Sequence, residues 1–302
     1  MGQAGRVRPI LRPGTHVLNR VGGELQVGLD PDGALLLPAS EPVRRSLALL
    51  AGPADRDSYP DEAAGVVSLL ERHGQLADER DLLPLLPATG NGTGQGGHTA
   101  AALVRSRGAA TAAAWRSRTR WRTAVRTFGH PVGASLAGEL GRLLRAAGLP
   151  EPQDGPDLDT GVLVGVGEPQ REDLDEWTRE RTPYLVVRMT EGRAVLGPFV
   201  GPGRSACLRC VDAHRTDADR SWPLLVRQYA AAAARDRSDG APEPVDPLLA
   251  SIALAWAARD LATYVDGGRP STWSATITVA PDLSELETRA WLRHPACCCT
   301  WE

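Results

Sequence analysis

The chain has 302 residues, with 34 Lys+Arg against 37 Asp+Glu and a formal net charge of −3. That balance argues against wholesale binding of nucleic acid or any other polyanion, and the length allows one large domain or two ordinary ones. Every basic residue is arginine, so no lysine Schiff base, lysine general base or lysine phosphate clamp is available.

No stretch approaches the roughly 20 apolar residues of a membrane span. The opening MGQAGRVRPILRPG has no apolar run of signal length. The expectation is a cytoplasmic protein with reduced thiols.

Between residues 15 and 37 the chain alternates as strands do. Thr15–Arg20, Glu24–Leu29 and Ala34–Leu37 are separated by a Gly22-Gly23 turn and an Asp30-Pro31-Asp32-Gly33 turn, which predicts a three-stranded meander. Ser40 then caps a helix carrying Val43, Leu47 and Leu50, and Asp61 opens another carrying Val66, Val67, Leu69 and Leu70. A small sheet followed by helices fits a winged-helix module over residues 1–87. Residues 88–98 are dominated by Gly, Thr, Asn and Gln and read as a linker, which leaves 99–302 as a second domain. Its first part has no Asp or Glu before Glu139, while Arg105, Arg107, Arg116, Arg118, Arg120, Arg122 and Arg126 gather around Trp115 and Trp121. Such a run is a solvated helix face by default; its functional reading is a positive surface for an acidic partner.

From Thr123 the pattern becomes α/β. Ala124–Phe128 reads as a strand, Gly129–Gly133 as a turn, and Leu136, Leu140, Leu143 and Leu144 as one side of a helix. The strand Gly161–Val166, a polar helix over Glu172–Arg181 and the strand Pro183–Met189 follow. This succession predicts a doubly wound parallel sheet, with the Gly-bearing turn where such folds hold a phosphate on a helix N-terminus. Glu168, Asp173, Asp175 and Glu176 are read as solvating the polar helix. Ser205, His214 and His130 are lone polar residues with no acid/base partner visible.

The five cysteines fall into two clusters, Cys207-Leu-Arg-Cys210 and Cys297-Cys298-Cys299. A Cys-x-x-Cys knuckle joined by a second close pair makes a closed set of four thiolates, the pattern of structural zinc. Cys207, Cys210, Cys297 and Cys299 are the predicted ligands, with Cys298 in place of one of its neighbours as the alternative. A disulfide competes, but disulfides belong to secreted chains.

The segment Gly192–Cys210, with its Gly-Pro-x-x-x-Pro-Gly-x-x-x-Cys-x-x-Cys block, the run His214–Pro223 and the closing Arg293–Cys299 together resemble the ThiF/MoeB-like proteins of ribosomal peptide natural-product clusters. These are leader-peptide-binding or cyclodehydratase partners of YcaO enzymes. The resemblance runs from about residue 15 to the end. It implies a PqqD-like winged-helix module for leader recognition, followed by a ThiF-like domain with a structural zinc. Adenylating relatives also need a ribose-binding acid, an arginine and a lysine on the phosphates, and an Asp for magnesium. Here the turn is Gly129-His-Pro-Val-Gly133, only Pro150–Thr160 separates the first helix from the next strand, and lysine is absent. The ATP site is read as degenerate, with no catalytic or nucleotide-binding residue to name.

The expected function is a scaffold that binds a precursor's leader peptide and presents it to a YcaO-type enzyme for azoline formation. The peptide would add a strand to the sheet at Ala34, Leu35, Leu36 and Leu37, against Val43, Leu47 and Leu50. The expected partners are the leader peptide, the YcaO-type enzyme and a second copy of the chain, with no nucleic acid and no membrane. The alternative is an active ATP-dependent adenylating enzyme acting on a peptide or carrier-protein terminus. A winged-helix DNA regulator would leave the second domain unexplained.

Overall fold

The alternation at residues 15–37 becomes an antiparallel sheet in the computed structural model, which describes residues 9–51, 63–82, 95–107 and 111–300. The chain divides into two units, Met1–Arg116 and Ser117–Glu302. In the first, β2 (Val17–Asn19), β3 (Glu24–Val27) and β4 (Leu35–Pro38) pair in that order, with Leu25 opposite Asn19 on one side and Leu37 on the other. β1 (Pro9–Leu11) pairs separately with β5 (Leu76–Asp78). Period-2 alternation turns Leu25, Val27, Leu35 and Leu37 to one face. There they meet Leu47 and Leu50 of α1 (Glu41–Ala51) and Val66 and Leu70 of α2 (Ala63–Arg72) in one buried cluster. Each such side chain contributes about 1.5–3 kcal/mol by leaving water. Asp61, expected to open α2, lies outside the described residues.

A short α3 (Glu79–Leu82) precedes α4 (Gln95–Arg107) and α5 (Thr111–Arg120). α4 takes in the last four residues of the expected linker, whose residues 88–94 lie outside the described ones. Ala100 and Val104 of α4 pack with Ala77, Ile10 and Trp115, which carries this unit past residue 87.

The second unit is a six-stranded sheet in the order β11-β10-β9-β8-β7-β6. Its elements in chain order are β6 (Thr123–Gly129), α6 (Gly133–Ala146), β7 (Thr160–Val166), α7 (Asp175–Arg179), β8 (Tyr184–Thr190), β9 (Arg193–Val200), α8 (Leu208–Ala218), α9 (Trp222–Ala233), α10 (Pro247–Val265), β10 (Ala275–Val279) and β11 (Leu286–Ala290). The sheet is mixed, which corrects the expectation of a parallel one. Only β6, β7 and β8 run parallel, and β8, β9, β10 and β11 alternate in direction. The cause is local. Glu191 and Gly192, at φ 52° and 74°, link the paired residues Thr190 and Arg193, a two-residue left-handed turn that suits a hairpin and leaves no chain for a helical crossover.

β7 is buried throughout. Val162, Val164 and Val166 face Leu136, Leu140 and Leu144 of α6 and Leu254, Leu261 and Val265 of α10. Leu163 belongs to a second cluster with Trp177 of α7, Tyr184 and Cys210. α10 has no counterpart among the sequence-derived elements. Asp246 caps it, accepting from the backbone N–H groups of Leu248 and Leu249. Among the described residues it is the one helix long and apolar enough to cross a membrane, and more than half of it is buried.

Candidate functional site

Cys207 sits in extended conformation immediately before α8, and the first turn of that helix carries Cys210 beneath it, with the Cys210 N–H donating to the Cys207 carbonyl at 3.0 Å. The C-terminal segment brings Cys297 within 3.6 Å of Cys207 and Cys299 within 3.2 Å of Cys210, sulfur to sulfur, and the knuckle pair is 3.8 Å apart. All four sulfurs lie within 4.8 Å of one another. Zn–S bonds of about 2.3 Å in a tetrahedron require sulfurs about 3.8 Å apart, so small shifts would bring the four around one ion. Cys298 is exposed, which leaves Cys297 and Cys299 as the pair that faces the knuckle.

The thiols strongly affect one another's ionisation. Hydrogen bonding with Cys210 and Cys297, followed by burial, pushes Cys207 far up, while Cys210 is held far down because Cys207 and Cys297 hydrogen-bond to it. The bond with Cys207 pulls Cys297 down, yet contact with Cys210 and burial outweigh it and leave Cys297 at about 12. Thiols this close disfavour one another's ionisation, and a divalent ion at their centre would offset that repulsion. Arg293 braces the site, donating to the carbonyls of Gly203 and Cys299 at 2.8 Å each.

The turn expected to hold phosphate is closed. The N–H groups of Gly133, Ala134 and Ser135 donate to the carbonyls of His130, Pro131 and Val132 at 2.9–3.1 Å, so the donors of that helix N-terminus are already engaged. His130 pairs with Asp236 at 3.0 Å. Gly167, at φ +90°, lies so close under α9 that a Cβ there would stand 2.4 Å from the Ala233 Cβ. β6 is the edge of the sheet and the order β6-β7-β8 does not reverse, whereas nucleotide crevices open where strand order reverses.

Other polar residues have roles that the sequence did not disclose. Glu168 does not solvate a helix; its carboxylate binds Arg188 at 2.6 Å and Arg171 at 3.1 Å. Arg171 in turn clamps both oxygens of Asp212, which also accepts from the Trp222 indole at 2.9 Å. Burial raises the Asp212 carboxyl, but Arg171 outweighs it and holds the group below the ordinary carboxylate range. Arg171, Arg209, Asp212 and Arg227 line a cavity of about 740 Å³. Asp175 and Glu176 pair with Arg209 and Arg126. Ser205 is buried, its Oγ accepting from the Gly201 N–H at 2.8 Å, and it braces the turn before the knuckle. The arginine run does not form one face, because Arg118 is buried.

Of the seven residues expected to hold a peptide, Leu35, Leu37, Leu47 and Leu50 are buried in the first unit's core, and Ala34 and Val43 are half-buried. Leu36 is 46% exposed on the opposite face of β4. A smaller cavity of about 260 Å³, lined by Val17, Asn19, Leu25, Arg44, Leu47, Ala48 and Ala51, opens on the β2 side. Leu47 is the one expected residue that lines it.

The second unit joins a mixed six-stranded sheet to a four-cysteine cluster and the first carries an antiparallel sheet of its own, an α/β fold shared with solved heterocyclases and with MccB. Among solved structures, the heterocyclase TruD matches at 19% identity and a TM-score of 0.69, over 98% of this chain and 43% of that one. A heterocyclase in complex with substrate and cofactor matches at 17% identity and 0.67, over 97% and 40%. MccB of E. coli matches at 12% identity and 0.62, over 97% of this chain and 99% of its own. The chain therefore spans less than half the length of the heterocyclases and nearly all of MccB. No protein-family model and no curated protein sequence matches it.

Proposed function

We propose that this chain is a scaffold that captures the leader of a ribosomally made precursor peptide and presents it to a YcaO-type enzyme, which closes azoline rings on the precursor. The observation that carries this reading is a likeness covering almost all of this chain and less than half of each heterocyclase. The rest of the ring-forming apparatus would be a YcaO-type enzyme. The first unit would act as the winged-helix recognition module, with β4, last in its sheet, as the edge on which a peptide would pair through its backbone. Zinc held by Cys207, Cys210, Cys297 and Cys299 would tie the C-terminal segment to α8 and, with no open coordination position, do no chemistry. The test is reconstitution of this protein with the YcaO-type enzyme and precursor of its own cluster. Ring formation, read as loss of one water per ring by mass spectrometry, should require this chain; equal ring formation without it would refute the proposal.

Leader capture makes a narrower prediction on the full chain. Leu36→Pro removes a backbone donor from β4 and should weaken binding of a labelled leader by at least tenfold, about 1.4 kcal/mol. Leu18→Ala on β2 should act on stability alone. Fluorescence anisotropy, with circular dichroism to verify folding, separates the two. An unchanged affinity in a folded Leu36→Pro protein would exclude the β4 edge.

The second reading is an adenylating enzyme, favoured by the full-length match to MccB, one of whose structures holds ATP. The engaged donors after Gly129 and the helix over Gly167 oppose it. By itself the chain should bind ATP-Mg no more tightly than about 1 mM, roughly −4 kcal/mol. It should also give no peptide-dependent pyrophosphate exchange. Calorimetry and an exchange assay check both, and exchange above background would establish the second reading.

A further inference from the structure

Beyond the cysteine knuckle, α8 carries His214 and Asp217, and the segment that ends in the C-terminal cysteines carries His294. We propose that these three side chains form a second metal site, separate from the thiolates, for an exchangeable divalent ion of the first transition row. Their coordinating atoms lie within 4.8 Å of one another. His294 Nε2 is 2.9 Å from Asp217 Oδ2, and the two imidazoles meet edge to face with centroids 4.7 Å apart. Two imidazoles and one carboxylate suit zinc, cobalt, nickel or copper, and leave positions open for water.

The surrounding hydrogen bonds orient the first ring. His214 Nε2 lies 3.0 Å from the Leu292 carbonyl, which can only accept, so Nε2 carries the proton and Nδ1 keeps its lone pair. A backbone carbonyl behind a ligating imidazole is the usual support of a metal-bound histidine. His294 Nδ1 accepts from the Ala296 N–H at 3.1 Å. Coordination through Nε2 moves that ring's proton to Nδ1 and opens the Ala296 contact, with no net proton released. Arg289 and Arg215 lie over the Trp291 ring, which neighbours His214, and their charge weakens cation binding. The site should accordingly exchange its ion, unlike the closed cysteine site. The Cys297 N–H donates to the His294 carbonyl at 3.0 Å, so both sites would fasten the same C-terminal segment to the same helix.

The experiment uses the full chain with its cysteine site loaded and weakly bound metal dialysed away. Cobalt(II) is titrated in and followed in the visible range, where nitrogen and oxygen ligation is distinct from the near-ultraviolet thiolate charge-transfer bands. Zinc calorimetry gives the stoichiometry. The wild type should take one further equivalent, and Asp217→Ala and His214→Ala should each weaken that uptake by about 100-fold or more while the thiolate bands stay unchanged. Asp217 is 70% exposed, so its replacement leaves the packing intact. No further equivalent up to millimolar cobalt overturns the proposal, as does undiminished uptake in either variant. Loss of thiolate bands along with the second equivalent in both variants overturns it too.

Discussion

Replacing Cys207 with serine is expected to abolish binding of the zinc proposed for the cysteine cluster and to unfold the second unit. Four thiolates on one ion contribute on the order of 10 kcal/mol to folding, against a total stability of about 5–15 kcal/mol for an ordinary domain. The loss falls where the chain can least absorb it. Cys207 precedes α8, Cys297 lies near the C-terminus, and both belong to a buried cluster with Trp177, Tyr184 and Trp291. Without an ion, the thiols of Cys210, Cys297 and Cys299 remain packed together beside the substituted position. Elemental analysis and circular dichroism should find metal-poor, poorly structured Cys207→Ser protein, and normal zinc in Cys298→Ser, whose side chain is exposed. Normal zinc in a Cys297→Ser/Cys299→Ser double variant, or none in the wild type, would exclude the site.

The second large effect concerns Arg118. Its guanidinium meets both oxygens of Asp266, at 2.9 and 2.5 Å, and donates to the Ala147 carbonyl at 2.7 Å. Both side chains are buried, at 3% and 0% exposure. Asp266→Ala leaves a desolvated cation without its counter-charge and should cost about 3–5 kcal/mol. At roughly 2–4 °C per kcal/mol for a unit of this size, the midpoint falls by about 10 °C. Arg118→Leu/Asp266→Leu should recover most of the loss, because two apolar groups remove the unpaired charge as well as the pair. Thermal melts of the three variants decide it; a single variant within about 1 kcal/mol of wild type would show that water reaches the pair.

The same arginine marks a limit of sequence reading. Arg118 stands in a run of like residues, and its run-mates Arg116 and Arg120 are exposed while it is buried. Nothing local separates them, since the carboxylate that pairs with Arg118 is 148 positions away. The meander was legible because its alternation and its turns at Gly22-Gly23 and Asp30–Gly33 are properties of adjacent residues. β6, α6, β7 and β8 were legible for the same reason. α10 was not: it is apolar on nearly every side, so it lacks the stripe that marks a surface helix. The turn at Glu191-Gly192 is just as local, but succession alone suggested a parallel sheet beyond it.

For the site, the sequence by itself narrowed the candidate ligand sets, because its five cysteines fall in two clusters whose spacing leaves few tetrahedral combinations. It also excluded a lysine on any phosphate. Tertiary structure decided what depends on distant chain meeting distant chain. It turned Cys298 outward, engaged the donors after Gly129, set α9 against Gly167, and buried the side chains of Leu35 and Leu37 in the core of the first unit. It also brought His294 to His214 and Asp217 across some 80 residues. The physical reason is range. Propensity, capping and ligand spacing act over a few residues and are written in order along the chain, whereas burial, charge pairing and the filling of a cleft depend on which segments share a volume after folding.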